Sequence, residues 1–187
     1  MAFDAFVKFT ESAAGASEKI VGESQDGQFP GSAGWFSVKE FSFGIENTIN
    51  ITTASGGAGA GKADFKEFTI KKQTDAASAQ LAITCGKGGH YKMVNLSLRK
   101  SGVMPGASGR SGGTYLEFLF KMVAVKSVEW SGSSGDDVPE ETIVFEYAAM
   151  KITYKAQKAD GTFEQQPVIG TWNKVTNSTE FDSYLAS

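Results

Sequence analysis

Cys85 and His90, the single thiol and the single imidazole of a 187-residue chain, stand close together in sequence. A histidine near a cysteine is a pairing that nucleophilic catalysis uses. Both side chains are also zinc ligands, but a zinc site needs three or four such donors. One Cys and one His are all the chain has. No Gly-x-Ser-x-Gly elbow supplies another nucleophile for His90. The expectation is a packed thiol and an imidazole at a turn edge.

A second candidate is Gly56-Gly57-Ala58-Gly59-Ala60-Gly61-Lys62, which spells G-x-x-x-x-G-K, the first part of a phosphate-binding loop. The next residue should be Ser or Thr, to ligate magnesium, and it is Ala63. Such a loop also opens a helix, whereas Asp64 and Phe65 lead into a strand pattern. Asp136-Asp137 and Glu140-Glu141 flank a Gly/Ser loop and offer oxygens to a hard cation, without the spacing of a calcium loop. A solvated loop is expected there. Ser97-Leu98-Arg99-Lys100 spells S-x-x-K, but on a strand and without the partner motifs of β-lactamase-like enzymes. Lys71-Lys72 and Arg99-Lys100 read as basic pairs on wet strand faces. No catalytic residue, cofactor or metal ligand is expected, which favours a structural or binding protein.

The elements that would carry these residues are mostly strands. Phe3, Ala5, Val7 and Phe9 alternate with Asp4, Phe6 and Lys8, a first strand. Residues 18–21 read as a short second strand, closed by a turn-prone stretch from Gly22 to Gly27. Residues 35–43 are a third, with a phase slip between Val38 and Phe41 that predicts a bulge or twist. Residues 52–62 hold nothing that packs a core and read as a loop or arm. Residues 65–72 form a strand with Phe68 and Ile70 on one face. Asp75 then caps the one helix, with Ala77, Leu81 and Cys85 on its apolar side and Gly86 as its stop. Residues 91–99 return to period two, and 101–113 are a Gly-rich loop.

Residues 114–130 and 142–155 are the longest strands, and both are apolar on two faces. In the first, Leu116, Phe118, Phe120, Met122, Ala124 and Val128 share one face, and Leu119, Val123 and Val125 lie on the other. In the second, Ile143, Phe145, Tyr147 and Ala149 oppose Val144, Ala148, Met150, Ile152 and Tyr154. A lone domain covers one such face, so the second calls for a neighbouring molecule. A last short strand is expected over residues 170–173.

Composition agrees. Phe numbers 14, and the β-branched Ile and Val far outnumber Leu, which suits pleated, half-buried surfaces. The expected fold is mainly β: two antiparallel sheets forming a β-barrel or sandwich with one α-helix, in one domain over residues 1–187. The net charge of −3 gives no footprint for nucleic acid. No apolar run reaches the ~20 residues a spanning helix needs, so no membrane insertion is expected. The first residues show no secretory signal, and any export would need a route that reads the folded protein.

The order of segments is itself informative. Gly22-Glu23-Ser24-Gln25-Asp26 is followed by Phe41-Ser42-Phe43-Gly44, then by a Gly/Ala loop ending in Ala60-Gly61-Lys62. Phe65-Lys66-Glu67-Phe68-Thr69-Ile70-Lys71-Lys72 leads to Thr74-Asp75, and the helix ends at Cys85-Gly86-Lys87-Gly88-Gly89-His90. Leu96-Ser97-Leu98-Arg99-Lys100-Ser101-Gly102, Tyr115-Leu116-Glu117-Phe118, Val125-Lys126-Ser127-Val128, Pro139-Glu140-Glu141, Tyr154 and Gln157 complete the series. Over residues 2–158 this resembles the haemolysin-coregulated protein (Hcp) family, inner-tube subunits of type VI secretion. Residues 28–34 and the tail beyond 159 follow the family pattern poorly.

The resemblance implies a fold like that of phage tail-tube proteins and a homo-hexameric ring that stacks into a tube. It implies a spike (VgrG-like) protein at the tip, sheath proteins around it and small effectors in the lumen. It implies assembly in the bacterial cytoplasm and secretion without a cleaved signal peptide. The family's extended arm, which contacts adjacent subunits, falls on residues 50–62 here. Thr53, Ser55, Gly56, Gly57, Gly59, Gly61 and Lys62 are the contact residues this assigns. The alternative is a soluble β-sandwich binding module for carbohydrate or protein, which would gather Trp35, Trp130 and Trp172 in one groove.

Overall fold

Alternating apolar residues build ten strands and one long helix in the computed structural model, which describes residues 3–11, 18–50, 59–100, 113–159 and 162–182. The strands are β1 (Phe3–Glu11), β2 (Trp35–Val38), β3 (Glu40–Ser42), β4 (Ile45–Asn50), β5 (Gly59–Phe65), β6 (Phe68–Gln73), β7 (His90–Lys100), β8 (Thr114–Ser131), β9 (Glu140–Tyr154) and β10 (Val168–Asn173). The helix α1 spans Ala76–Lys87.

Eight strands form one antiparallel sheet in the order β2-β1-β7-β8-β9-β6-β3, with β10 on β9. Its two end strands, β2 and β3, are consecutive in the chain and part only at Lys39. That is where the phase slip between Val38 and Phe41 falls. The Lys39 amide bonds to Lys71 O of β6 at 2.8 Å, so one bent segment borders both ends and the sheet curls into a barrel-like layer. β4 and β5 pair with each other as a second, two-stranded sheet. The mainly β expectation holds, with α1 lying against β8.

The core is aromatic. Phe36, Phe68, Phe120, Phe145 and Tyr91 are essentially inaccessible. The Phe68 and Phe120 rings stack at 4.6 Å, and Phe9 meets Tyr91 at 4.9 Å and Phe145 at 5.1 Å. Burying each such side chain contributes roughly 1.5–3 kcal/mol.

Strict alternation fails at one level of the sheet. Core residues are three apart there rather than two: Tyr91 and Val94 in β7, Phe120 and Val123 in β8, Tyr147 and Met150 in β9. These are cross-strand partners, since Tyr91 faces Val123, which faces Tyr147, and Val94 faces Phe120, which faces Met150. Three neighbouring strands therefore shift phase together and keep their register. Met122, with φ 50, is the residue of β8 that leaves the extended region. A bulge between Val125 and Ser127 follows and again re-aims the strand.

This corrects the assignment of faces. Val123 and Val125 turn into the core, while Met122 and Ala124 turn out. Met150 and Ile152 likewise pack on the core side, leaving Leu119, Val144 and Ala148 as half-buried apolar residues away from it. Much of the supposed second apolar face is thus core.

Other expectations shift as well. Residues 18–21 form no strand: the Glu18 amide bonds to Thr84 Oγ1 of α1 at 3.0 Å, and Ile20 is buried. Asp75 caps α1 in a capping box with Ser78. Gly86 does not stop the helix. Gly88 does, at φ 65, with its amide on Cys85 O at 3.0 Å, because only the left-handed residue lets the chain turn back. Gly59, Gly61 and Lys62 are not loop but β5, where Gly59 pairs with Asn50 of β4 and Gly61 and Lys62 fall at the irregularity in the ladder. Residues 51–58 and 101–112 lie outside the described residues.

Candidate assembly site

The β4–β5 hairpin is the part of the fold that joins no other strand among the described residues. Its register runs from Ile45 opposite Phe65 to Asn50 opposite Gly59, with an irregularity between Asn47 and Ile49. The base is fixed by aromatic packing. Phe65 is buried and stacks on Trp172 of β10 at 6.3 Å. Lys174 places its Nζ over the Tyr147 ring at 4.7 Å and over Phe65 at 6.0 Å. The Tyr147 hydroxyl donates to Lys66 O at 3.1 Å, and burial pushes its pKa far up.

Lys66, just past the hairpin, reaches Asp64 at 2.9 Å and Glu46 at 3.0 Å. Hydrogen bonds to those carboxylates, Asp64 first, raise its pKa. One charge thus bridges both hairpin strands. The arm leaves the body from an anchored base.

Of the seven assigned contact residues, Gly59, Gly61 and Lys62 sit in β5. Thr53, Ser55, Gly56 and Gly57 lie outside the described residues. The structure therefore places the root of the arm and not its tip. The phosphate-loop resemblance ends here, because Lys62 continues through Ala63 along a strand.

The outer face of the sheet is covered in two places by segments that sequence reading left unassigned. The loop between β1 and β2 lays Phe29 on Phe6, rings stacked at 4.5 Å. Arg99 pins that loop through Asp26 at 2.6 Å and also pairs with Asp4 of β1 at 3.0 Å. Burial, the largest single influence, opposes ionisation of Asp26, but the hydrogen bond and charge of Arg99 together with the Gln28 and Phe29 amides outweigh it and lower the pKa. Gly22 permits the loop's return, since a Cβ there would lie 1.9 Å from Trp35 O. After β10, Phe181 is buried, with Lys121 Nζ at 4.5 Å and Lys151 Nζ at 5.5 Å from its ring. Asp182 pairs with Lys121.

Two charged residues had been read as solvated and are not. Lys72 and Glu141 are both fully buried and in direct contact. Lys72 Nζ also donates to Asp75 Oδ1 at 2.7 Å, Gln73 O at 2.8 Å and Ser78 Oγ at 3.1 Å. Ser78 Oγ donates to Glu141 Oε1 at 2.7 Å. The signal for this was period two. Lys72 is in phase with Phe68 and Ile70, and Glu141 with Ile143 and Phe145.

Cys85 packs partly against the core, its Sγ 3.6 Å from Lys126 O. His90 opens β7. Among the described residues no group of three His, Cys, Asp or Glu side chains is placed to hold a metal ion, and no helix is long and apolar enough to cross a membrane. Trp35 packs on Phe29 and Trp172 on Phe65, while Trp130 lies at the end of β8. The three tryptophans sit on different strands, β2, β8 and β10.

The family model described as "Type VI secretion system effector, Hcp" matches residues 6–154. The chain belongs to the Hcp family of type VI secretion proteins. Protein hcp1 of Pseudomonas aeruginosa strain PAO1 is 32% identical over 112 residues, which cover 60% of this chain and 65% of that protein. A solved structure titled "Structure of a type six secretion system protein" superposes with a TM-score of 0.78 at 27% identity, covering 95% of this chain and 99% of the other. Hcp1 from Salmonella typhimurium superposes with a TM-score of 0.63 at 22% identity, covering 95% and 99%, and so shares the fold. The family that the ordered segments resemble is the one the chain joins. β10 and the Phe181 segment lie beyond the matched residues.

Proposed function

We propose that this chain is the structural subunit of the inner tube of a type VI secretion machine. Six copies close a ring, rings stack, and the tube is ejected with small effectors in its lumen. The match of residues 6–154 to the Hcp family carries this reading. The β4–β5 hairpin supports it, as an anchored arm that pairs with no other strand among the described residues. Its contact residues are Thr53, Ser55, Gly56, Gly57, Gly59, Gly61 and Lys62. Small side chains there let backbones approach closely. Ring closure follows when a head-to-tail contact repeats until the rotation returns to its start.

The spike (VgrG-like) protein and the sheath are its partners in this reading. Assembly takes place in the bacterial cytoplasm, and export follows through the machine without a cleaved signal. The lumen and the subunit seam draw on the outward residues of β8 and β9, among them Leu119, Ala124, Val144 and Ala148. Light scattering on the full chain tests the ring: a mass near six chains supports it, and a strict monomer at high concentration sinks it. Removing residues 55–61 is expected to spare the fold and weaken stacking. Unfolding of that variant, or unchanged tube formation, would refute the role given to the arm.

A further inference from the structure

We propose that Lys72 and Glu141 join covalently, by an isopeptide bond between Nζ and Cδ that staples β6 to β9. Four observations converge on it. The amine and the carboxylate are fully buried and in direct contact through Nζ and Oε1, and holding two reacting groups together makes an intramolecular step fast. Lys72 is kept out of water, with the Phe36 ring 5.3 Å from Nζ, and becomes a nucleophile once it has passed a proton to a neighbouring carboxylate. A second carboxylate, Asp75, stands 2.7 Å from Nζ, placed to take up a proton. Ser78 Oγ donates to Glu141 Oε1 at 2.7 Å, where negative charge would develop during attack.

A fifth observation distinguishes this cluster from an ordinary buried ion pair. Glu141 Oε2 is buried and has no hydrogen-bond partner among the described residues. Buried polar atoms are normally satisfied, and this one is the oxygen an amide bond would expel. Around Nζ the crowding is opposite: Gln73 O, Asp75 Oδ1, Ser78 Oγ and Glu141 Oε1 all lie within bonding distance, and an ammonium has three N–H bonds for four acceptors.

The step balances without any co-reactant. A proton passes from Nζ to the Glu141 carboxylate, leaving an amine and a carboxylic acid. Nζ attacks Cδ, and the Nζ–Cδ bond forms while the electron pair of the C=O moves to Oε1, held by Ser78. Asp75 accepts the proton that Nζ must lose and returns it to the Oε2 hydroxyl. The Cδ–Oε2 bond breaks and one water leaves. Nothing is oxidised or reduced. The exit lies past Asp75, which lines an open cavity of about 310 Å³ with Thr74, Gln73 and Glu23.

The bond would join residues 69 positions apart across a rung of the sheet where Lys72 and Glu141 are register partners. A subunit that is assembled and then driven out under load gains from such a clip, although the chemistry does not depend on that role.

The experiment is the mass of the intact full chain under denaturing conditions, after purification in the folded state. The expected mass is one water below that of the sequence. A proteolytic digest should then give a branched peptide containing both Lys72 and Glu141. A folded wild-type protein with the full sequence mass overturns the proposal. Asp75→Asn keeps a side chain able to cap α1 and removes the base, so linking should slow by roughly 10²–10⁴-fold. If Asp75→Asn closes at the wild-type rate, the role assigned to Asp75 is wrong. Lys72→Arg serves as the unlinked mass standard.

Discussion

Met122 offers the sharpest test of how the long strand is built. Its φ of 50 places a non-glycine residue in the left-handed region in the middle of β8. That conformation costs an L-residue about 1–2 kcal/mol, and glycine adopts it freely. The Met122 side chain is 43% exposed, so truncating it removes little packing. At a regular strand position valine outranks glycine by about 1 kcal/mol. At Met122 the order should invert, because the residue is not extended and a β-branched side chain suffers most there. Allowing for the extra chain entropy of glycine, ~0.5–1 kcal/mol, Met122→Gly should exceed Met122→Val by about 1 kcal/mol. For a protein of this size that is a difference of ~2–4 °C in Tm. Urea unfolding and calorimetry at one protein concentration measure it. If Met122→Val is the more stable, the phase shift is not driven by a left-handed residue, and the face assignment of β8 must be redrawn.

Three further outcomes follow from the packing and the charges. Phe120→Ala removes a fully buried ring in contact with Phe68, Tyr147 and Phe43, and should cost about 3–5 kcal/mol in denaturant unfolding; a loss below ~1 kcal/mol would mean these rings do not pack. Tyr91, buried and bonded to Thr84, has its pKa raised from 10.0 to about 12, chiefly by burial. Its contribution to stability is therefore complete below pH 10 and falls as pH rises toward 12, by up to ~1.4 kcal/mol per unit. Ultraviolet titration of the folded Tyr91→Phe variant should show no loss of early-titrating tyrosine, and an early loss refutes the burial. For Asp26 the sign is reversed: its pKa lies below 3.8, so its pairing with Arg99 stabilises above that pH and is lost on acidification. Asp26→Ala should flatten the fall in urea midpoint between pH 5 and about 3, and an unchanged acid slope would remove Asp26 from the account.

The strands were legible because period two and β-branched composition speak directly to a pleated sheet, and α1 because Asp75 and Leu81 carry helical signals. The break at Lys39 was also visible, as a slip between Val38 and Phe41. The shared phase shift across β7, β8 and β9 was not. Alternation is a local rule, and the residues on both sides of Met122 are apolar, so either phase reads as sensible. Lys72 and Glu141 were misread for a different reason. Both stand in phase with buried rows, but a lone charge argues for solvent until its partner is known, and the partner lies 69 residues away. The arm was half legible: its glycines announce a loop, while the pairing of Gly59 and Ala60 with β4 depends on backbone alone. The coverings made by Phe29 and Phe181 come from tertiary contacts that no local pattern signals.

The segment from Trp35 to Ser42 gives the barrel a property of its own. Because this one stretch supplies both borders of the curled sheet, neither border can peel away unless the other is pulled with it. A single proteolytic cut at Lys39 would unlatch the two at once and lay bare two rows of amide and carbonyl groups, the adhesive kind of rim that folded proteins otherwise hide. Resistance to nicking at that one bond is thus a gauge of whether the whole wrap is shut.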